Sequence, residues 1–256
     1  MRPLPNPTAS PLDQTAGRSA VLTHNNPGKP MLIGILQTGL APDALIETSG
    51  DYPDMFARLL AGNGFTFRTY RVLENQFPAS VSECDGWLIT GSRFGAYEDH
   101  DWIPPLEAFI RDVYAAHIPM VGICFGHQII AQAMGGKVER YAGGWAVGAT
   151  DYDFNGEKRT LNAWHRDQVT EKPASAKVLA TNDFCTNAAL LYDDRMLTVQ
   201  AHPEFRPEFI DGLMQTRGKG LVPDDVMAAA ADRLSDPVQD QTMAAQIAAF
   251  FKAKRQ

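Results

Sequence analysis

The sequence has few cysteines, no long apolar segment and no excess of positive charge. Its three cysteines, Cys84, Cys124 and Cys185, are widely spaced. An odd number at such spacing favours free thiols in a reducing compartment over a disulfide framework. No apolar run approaches the ~20 residues of a membrane-spanning helix, and the first residues lack the apolar segment of a secretory signal. We therefore expect a cytoplasmic protein that makes no use of a membrane.

The charge balance excludes further classes. The formal net charge is −7 at pH 7, whereas nucleic-acid binding requires a basic surface. One acidic stretch, Asp99-His100-Asp101, lacks the spacing of a Cys/His metal site, so a solvated loop is expected there and no metal or cofactor. The content of 45% hydrophobic and 21% charged residues is that of an ordinary globular protein.

The first 30 residues differ from the rest of the chain. They contain six prolines among serine, threonine and asparagine, and such a segment buries too little apolar surface to offset its ordering entropy. We expect a flexible arm over residues 1–30 and a single domain over residues 31–256.

Short apolar runs alternate with segments of helical spacing in the first half of that domain. The predicted strands cover residues 31–37, 65–70, 87–90 and 120–123, with helices over 52–60 and 103–116 and a loop over 38–50. This alternation predicts an α/β fold of the flavodoxin-like, doubly wound type, with a mostly parallel sheet and helices on both faces. Chemistry in such sheets gathers at the carboxyl ends of the strands.

After Gly136 the pattern changes to short strands without long helices between them. They are predicted over residues 137–140, 145–154, 160–164, 177–180, 188–192 and 196–200, with a hairpin turn at Asp193 and Asp194. We expect an antiparallel or mixed extension of the sheet. Alanine-rich helices over 224–234 and 237–252 form a C-terminal helical extension, preceded by a helix over 208–216.

Residues 119–136 (PMVGICFGHQIIAQAMGG) combine a short buried strand, a sharp turn and a helix. Gly122 and Gly126 flank Cys124 in a G-x-C-x-G pattern, the thiol version of the nucleophile elbow. The glycines remove side chains that would collide where strand and helix cross. The helix N-terminus favours the Cys124 thiolate, and the N–H of Phe125 is placed to hold a developing oxyanion. The alternative is a buried structural cysteine between two chance glycines.

A second polar segment follows the strand at residues 196–200. His202 comes just past that strand end, and Glu204 lies two residues further on. A carboxylate that accepts a hydrogen bond from one imidazole nitrogen fixes the tautomer and leaves the other nitrogen free to serve a thiol. A lone surface histidine beside an acid is the alternative. We favour the first interpretation because both segments follow strands of one predicted sheet.

Together these segments resemble the class I (triad-type) glutamine amidotransferases, above all the amidotransferase domain of GMP synthetase and its stand-alone relatives. The similarity runs from about residue 31 to residue 209. It is carried by GICFGHQ and AHPEF, supported by LITGS at 88–92, GGKVER at 135–140 and WHRDQV at 164–169.

The resemblance implies that Cys124 is the nucleophile, His202 the general acid and base, and Glu204 the carboxylate that orients it. It places the oxyanion and substrate contacts at Gly91, Ser92, Phe125, Gln128, Arg166 and Asp167. The histidine of the WHRDQV segment is His165, which by itself, like His127, looks like an ordinary polar residue. No metal or cofactor is implied.

Two segments depart from the family pattern. The usual Gly-Gly-Pro is Gly91-Ser92-Arg93, and residues 144–148 (GWAVG) replace an Arg-Glu-Phe-Gly-like segment. Both line the substrate pocket in the family, so the substrate stays open; Arg93 either pairs with a substrate carboxylate or is a surface arginine. The sequence also lacks a synthetase pyrophosphate loop.

Three functions remain. The first is a glutamine amidotransferase that cleaves a γ-glutamyl amide through a cysteine thioester and releases ammonia for a separate synthetase or acceptor chain. The second is a free-standing hydrolase of γ-glutamyl peptides or amides. The third is a non-catalytic binding module on the same fold, against which the complete set of three catalytic residues argues.

Overall fold

The apolar runs of the first half pair in parallel at the centre of the fold. The computed structural model describes residues 30–255. Its strands are β1 (Met31–Leu36), β2 (Phe65–Tyr70), β3 (Gly86–Ile89), β4 (Met120–Ile123), β5 (Lys137–Arg140), β6 (Ala146–Phe154), β7 (Glu157–His165), β8 (Asp167–Glu171), β9 (Ala176–Ala180), β10 (Ala189–Tyr192) and β11 (Met196–Val199). Its helices are α1 (Asp43–Ser49), α2 (Tyr52–Leu59), α3 (Ile103–Ala115), α4 (Phe125–Ala133), α5 (Pro207–Leu213), α6 (Asp224–Asp232) and α7 (Asp240–Lys252).

The central sheet has seven strands in the order β2-β1-β3-β4-β11-β10-β9. The first five of these pair in parallel, and β10 and β9 continue the sheet antiparallel. The expected α/β fold with a mostly parallel sheet is therefore confirmed. Strand β11, late in the chain, lies beside β4, which brings its carboxyl end next to the cysteine elbow.

Helices cover both faces of this sheet, as expected for strands that are apolar on both sides. On one face, Trp87 of β3 packs with Phe109 of α3 and Ile129 of α4. On the other face, Leu88 of β3 packs with Phe56 of α2 and Ile247 of α7. The C-terminal helix is thus part of the main core.

The strands that follow α4 differ from the expected extension of the sheet. Strands β9, β10 and β11 join the central sheet, whereas β5 pairs with β8 and β6 pairs with β7 in two separate two-stranded sheets. Strand β8 was not predicted, because its sequence DQVTE is mostly polar and shows no long alternation.

The prediction of a loop over residues 38–50 is wrong for the second half of this segment, which forms α1. This helix begins after Pro42 and has no buried residue. Without an apolar face it leaves no periodic signal in the sequence.

Two remaining expectations concern the ends of the chain and membranes. The predicted arm lies, apart from residue 30, outside the described residues. Within residues 30–255, no helix combines the length and the apolar character needed to cross a bilayer.

Candidate active site

Cys124 occupies the single-residue turn between β4 and α4. Its backbone has φ of 53° and ψ of −101°, a conformation with positive φ that costs a non-glycine residue about 1–3 kcal/mol. The Cys124 N–H donates to the carbonyl oxygen of Val199 in β11 (2.9 Å), and its carbonyl accepts from the N–H of Gln128 in α4 (3.0 Å). The surrounding elements therefore hold the strained residue in place, as in a nucleophile elbow.

The two glycines of the G-x-C-x-G pattern are required by close backbone packing. A Cβ atom at Gly122 would lie 2.5 Å from the carbonyl oxygen of Gly126, and one at Gly126 would lie 2.5 Å from that of Ile89 in β3. Neither neighbour is a flexible side chain, so no larger residue fits without moving the backbone. The steric reason given for these glycines is thereby confirmed.

His202 is held by contacts on several sides. Its Nδ1 lies 2.6 Å from Oε1 of Glu204, and its ring stacks on Phe205 with centroids 3.9 Å apart. Its backbone N–H donates to the carbonyl oxygen of Asn162 (2.7 Å), while Asn162 Nδ2 donates to the carbonyl oxygen of Phe205 (2.9 Å). Asn162 and Phe205 are supports that sequence reasoning missed. The stacking of Phe205 leaves no periodic pattern in the sequence.

The imidazole lies beside the sulfur. A Cβ atom at Gly91 would lie within 4 Å of both the His202 ring and Cβ of Cys124, and Sγ of Cys124 lies 4.0 Å from the carbonyl oxygen of Trp164. Burial by itself lowers the pKa of His202, but the charges of Glu204 and Cys124 and the hydrogen bond to Glu204 raise it well above its usual range. Sulfur, imidazole and carboxylate are all buried at the carboxyl ends of β4 and β11.

The two expected oxyanion positions both lie next to Cys124. A Cβ atom at Gly91, just past β3, would lie 2.8 Å from Cε1 of His202 and 3.8 Å from Cβ of Cys124. Phe125 is the first residue of α4, where backbone N–H groups have no partner within the helix. Ser92 instead accepts the N–H of Phe94 at its Oγ (3.2 Å), which stabilises the turn after β3.

The three positions expected to contact the glutamine-like end of a substrate are connected to one another. Gln128 Nε2 donates to the carbonyl oxygen of Asp167 (2.9 Å) and to Oε1 of Gln200 (3.1 Å), so this amide nitrogen supports the backbone at residues 166–167. Tyr97 donates to Oδ2 of Asp167 (3.1 Å), and burial raises the pKa of that carboxyl group. The structure places the backbone of Asp167 against Gln128 of α4, and Arg166 precedes it in the chain.

Two buried histidines lie beside this network. By sequence alone both look like ordinary polar residues. His165 Nδ1 lies 3.2 Å from the carbonyl oxygen of Asp167, and His127 Nδ1 lies 2.7 Å from Oγ1 of Thr198. Burial, together with the charge of His202, lowers the pKa of His165 to about 4. Burial lowers the pKa of His127 to about 3. Both are neutral hydrogen-bonding groups at pH 7.

No group of three or more His, Cys, Asp or Glu side chains among residues 30–255 is arranged to hold a metal ion. In the acidic stretch considered above, His100 instead pairs with Glu98 (2.9 Å).

Residues 50–214, more than half of the chain, match the family described as glutamine amidotransferase class-I. The chain belongs to the class-I glutamine amidotransferase family. This match contains the cysteine elbow, the His202 segment and all the substrate and oxyanion positions considered above.

Two sequence relatives and one solved structure illustrate what the chain is similar to. The chain is 29% identical to γ-glutamyl peptidase 2 of Arabidopsis thaliana, over 73% of this chain and 82% of the relative. It is 29% identical to one of the subunits of the glutamine-hydrolysing GMP synthase of Archaeoglobus fulgidus, over 62% of this chain and 87% of the relative. A solved structure of a glutamine amidotransferase from Methylobacillus flagellatus superposes with a TM-score of 0.65 at 23% identity, covering 87% of this chain and 92% of that one. At this identity the structural likeness shows the fold alone.

Proposed function

We propose that this protein hydrolyses the γ-glutamyl amide bond of a small-molecule substrate through a thioester on Cys124. The observation that carries the proposal is the grouping of three side chains: His202 bonds to Glu204, and the His202 ring and Cys124 both lie against the position of Gly91. A nucleophile on an elbow, a base in contact with it and a carboxylate that orients the base are the groups that acyl transfer requires.

The reaction proceeds in two halves. In the first, the Cys124 thiolate attacks the side-chain carbonyl carbon, and the N–H groups of Gly91 and Phe125 stabilise the resulting oxyanion, each worth about 3 kcal/mol. His202, which is protonated, gives its proton to the leaving nitrogen as the C–N bond breaks. In the second half, His202 takes a proton from water, whose oxygen attacks the thioester and releases the acid and the Cys124 thiolate.

The identity of the leaving nitrogen separates two versions of this function. In the first, the substrate is glutamine and the ammonia passes to a separate acceptor chain, as the likeness to a GMP synthase subunit supports. In the second, the substrate is a γ-glutamyl peptide or amide and the protein acts alone, as the likeness to a γ-glutamyl peptidase supports. Glutamine turnover that stays negligible until an acceptor protein is added would favour the first version.

Labelling with a glutamine-like diazoketone tests the chemistry that both versions share. We expect one adduct on the folded wild type and none on Cys124→Ser. The matched control is Cys185→Ser, because burial raises the pKa of the Cys185 thiol to about 12 and this residue should not react. Turnover should be lost in Cys124→Ser and in His202→Ala and kept in Cys185→Ser. Normal turnover in either of the first two variants, or an unlabelled wild type, would refute the proposal.

A further inference from the structure

A small cleft lies beside the reaction centre, on the side of Gly91. Its volume is about 300 Å³, and Gly39, Leu40, Asp43, Arg93, Phe94 and Arg217 are among the residues that line it. This volume lies at the lower end of the range of ligand pockets, roughly 300–1,000 Å³. A Cβ atom at Gly39 would lie 2.7 Å from the carbonyl oxygen of Gly91, so the wall of the cleft and the wall of the reaction centre share the segment that starts at Gly91.

Two arginines line this cleft. Arg93 is exposed and lies over the ring of Phe94, 4.9 Å from its centroid. Arg217 is half-buried and donates to the carbonyl oxygen of Leu40 (2.8 Å) and to the hydroxyl of Tyr52 (3.4 Å). Arg217 is thus fixed by two hydrogen bonds, whereas Arg93 contacts only the neighbouring ring of Phe94.

Neither arginine forms an ion pair with a carboxylate of the part of the chain that the structure describes. Asp43 is the acidic residue that lines the cleft, so the two cations outnumber it. In a chain with a net charge of −7, this makes the cleft a local site of positive charge. A guanidinium presents paired N–H donors in a fork that fits a carboxylate.

The position of His202 decides which part of a substrate reaches the cleft. His202 is the group that protonates the leaving nitrogen, and its Cε1 lies against Gly91. The leaving amine therefore departs toward His202, beside Gly91 and the segment that the reaction centre shares with the cleft. Arg93 follows Gly91 by two residues, at most about 7 Å of extended chain. A carboxylate of the leaving amine lies within that distance of its nitrogen.

We propose that Arg93 and Arg217 bind a carboxylate of the leaving amine, so that the preferred substrate is a γ-glutamyl amino acid or peptide and glutamine is a poor one. The inference rests on the γ-glutamyl hydrolysis proposed above. The sequence left two roles open for Arg93, a substrate contact or a surface residue. The inference gives it the first role, in substrate selection.

A pair of substrates that differ only in this carboxylate tests the inference. The quantity to measure is the ratio of kcat/KM for γ-glutamylglycine to that for γ-glutamylglycinamide. A charged hydrogen bond contributes about 1.5–3 kcal/mol, so we expect a ratio of at least about 10 in the wild type and a fall of at least about tenfold in Arg93→Gln. Arg93→Lys should recover part of the ratio, because the charge returns without the fork.

The control is Arg71→Gln, which removes the same charge from an exposed arginine that pairs with Glu74 and does not line the cleft. Its ratio should equal that of the wild type. Arg217→Gln should also lower the ratio, and thermal unfolding monitors its folding because Arg217 bonds to Leu40 and Tyr52. Arg93 makes no hydrogen bond to another described residue, so Arg93→Gln should fold normally. The inference can therefore be tested with Arg93→Gln alone if Arg217→Gln does not fold.

Three results would overturn the inference, and they are distinguishable. A wild-type ratio near 1, or an unchanged ratio in Arg93→Gln, means that the cleft does not bind the carboxylate of the leaving amine. An equal loss in Arg93→Gln with γ-glutamylglycine, γ-glutamylglycinamide and glutamine means that Arg93 holds the glutamyl part instead. No turnover of any γ-glutamyl compound, together with an unlabelled Cys124, means that the proposed function itself has failed.

Discussion

At the scale of single residues, Glu204 links the stability of the site to its chemistry. Its carboxylate is buried, Oε1 bonds to His202, and Oε2 has no hydrogen-bond partner within residues 30–255. A buried carboxylate is costly unless a partner compensates its charge. The raised pKa of His202 indicates that a protonated imidazole is that partner, and under the proposed function the same contact orients the ring for catalysis.

Glu204→Gln should therefore change both turnover and the pH dependence of folding. We expect kcat to fall at least about 100-fold, because the neutral amide no longer stabilises the imidazolium. The pKa of His202 in the folded protein lies above its ordinary value of 6.5. The stabilisation from protonated His202 is thus complete below that pH and is lost as the pH rises through the raised pKa.

Urea unfolding of the wild type and Glu204→Gln between pH 6 and pH 10 measures this effect. The difference in unfolding free energy, wild type minus variant, should decrease with rising pH by up to about 1.4 kcal/mol per pH unit. Glu208→Gln, which changes an exposed carboxylate, serves as the control and should show no such slope. A pH-independent difference for Glu204→Gln would mean that His202 is not held in its charged form.

At the scale of elements, the crossing of β3, β4 and α4 builds the elbow. The helix approaches so closely that Gly126 lies against the backbone of β3. We predict that Gly126→Ala lowers the unfolding free energy by about 3 kcal/mol, because the added methyl group meets backbone atoms that cannot rotate away. Chemical denaturation measures the loss.

Gly220→Ala separates packing from backbone strain. Gly220 has φ of +74° and open space where a Cβ atom would lie. Alanine there should lower the unfolding free energy only through its unfavourable backbone conformation, by about 1 kcal/mol. Equal losses in the two variants would contradict the close approach of helix and strand at Gly126.

Whether an element could be predicted depended on how it is buried. Strands β1, β3 and β4 are apolar runs buried on both faces, and α2 and α3 have an apolar stripe, so all five are visible in the sequence. In contrast, α1 has no buried residue and β8 is largely polar. Both were missed because tertiary contacts, not local periodicity, hold them in place. Sequence pattern also failed to show that β6 and β7 pair outside the central sheet.

At the scale of the whole molecule, α7 closes one face of the central sheet. Phe251 is buried and packs against the position of Gly86 in β3, where a Cβ atom would lie 2.9 Å from its ring. Residues 240–252 therefore connect the end of the chain to the strand that leads into Gly91. We propose that residues 31–256 fold as one cooperative unit.

Phe251→Ala should accordingly destabilise the whole domain, by about 3–5 kcal/mol, as expected for a large side chain removed from a core. Unfolding followed by circular dichroism and by tryptophan fluorescence should give one shared transition. The neighbouring Phe250 is half-buried and lies under the guanidinium of Arg255, so Phe250→Ala is a matched control with a smaller loss. Two separate transitions would show that the C-terminal helices form a unit of their own.

The sequence by itself determined the family, the α/β class and the three candidate catalytic residues, because each depends on residue types at fixed spacing along a strand, a turn or a helix. Only the tertiary structure decided which side chains meet. The approach of Cys124 and His202 at Gly91 depends on β11 lying beside β4. The stacking of His202 on Phe205 depends on the turn after β11. The cleft between Arg93 and Arg217 joins positions far apart in the chain, and no local pattern can encode such a pairing, because folding alone brings those backbones together.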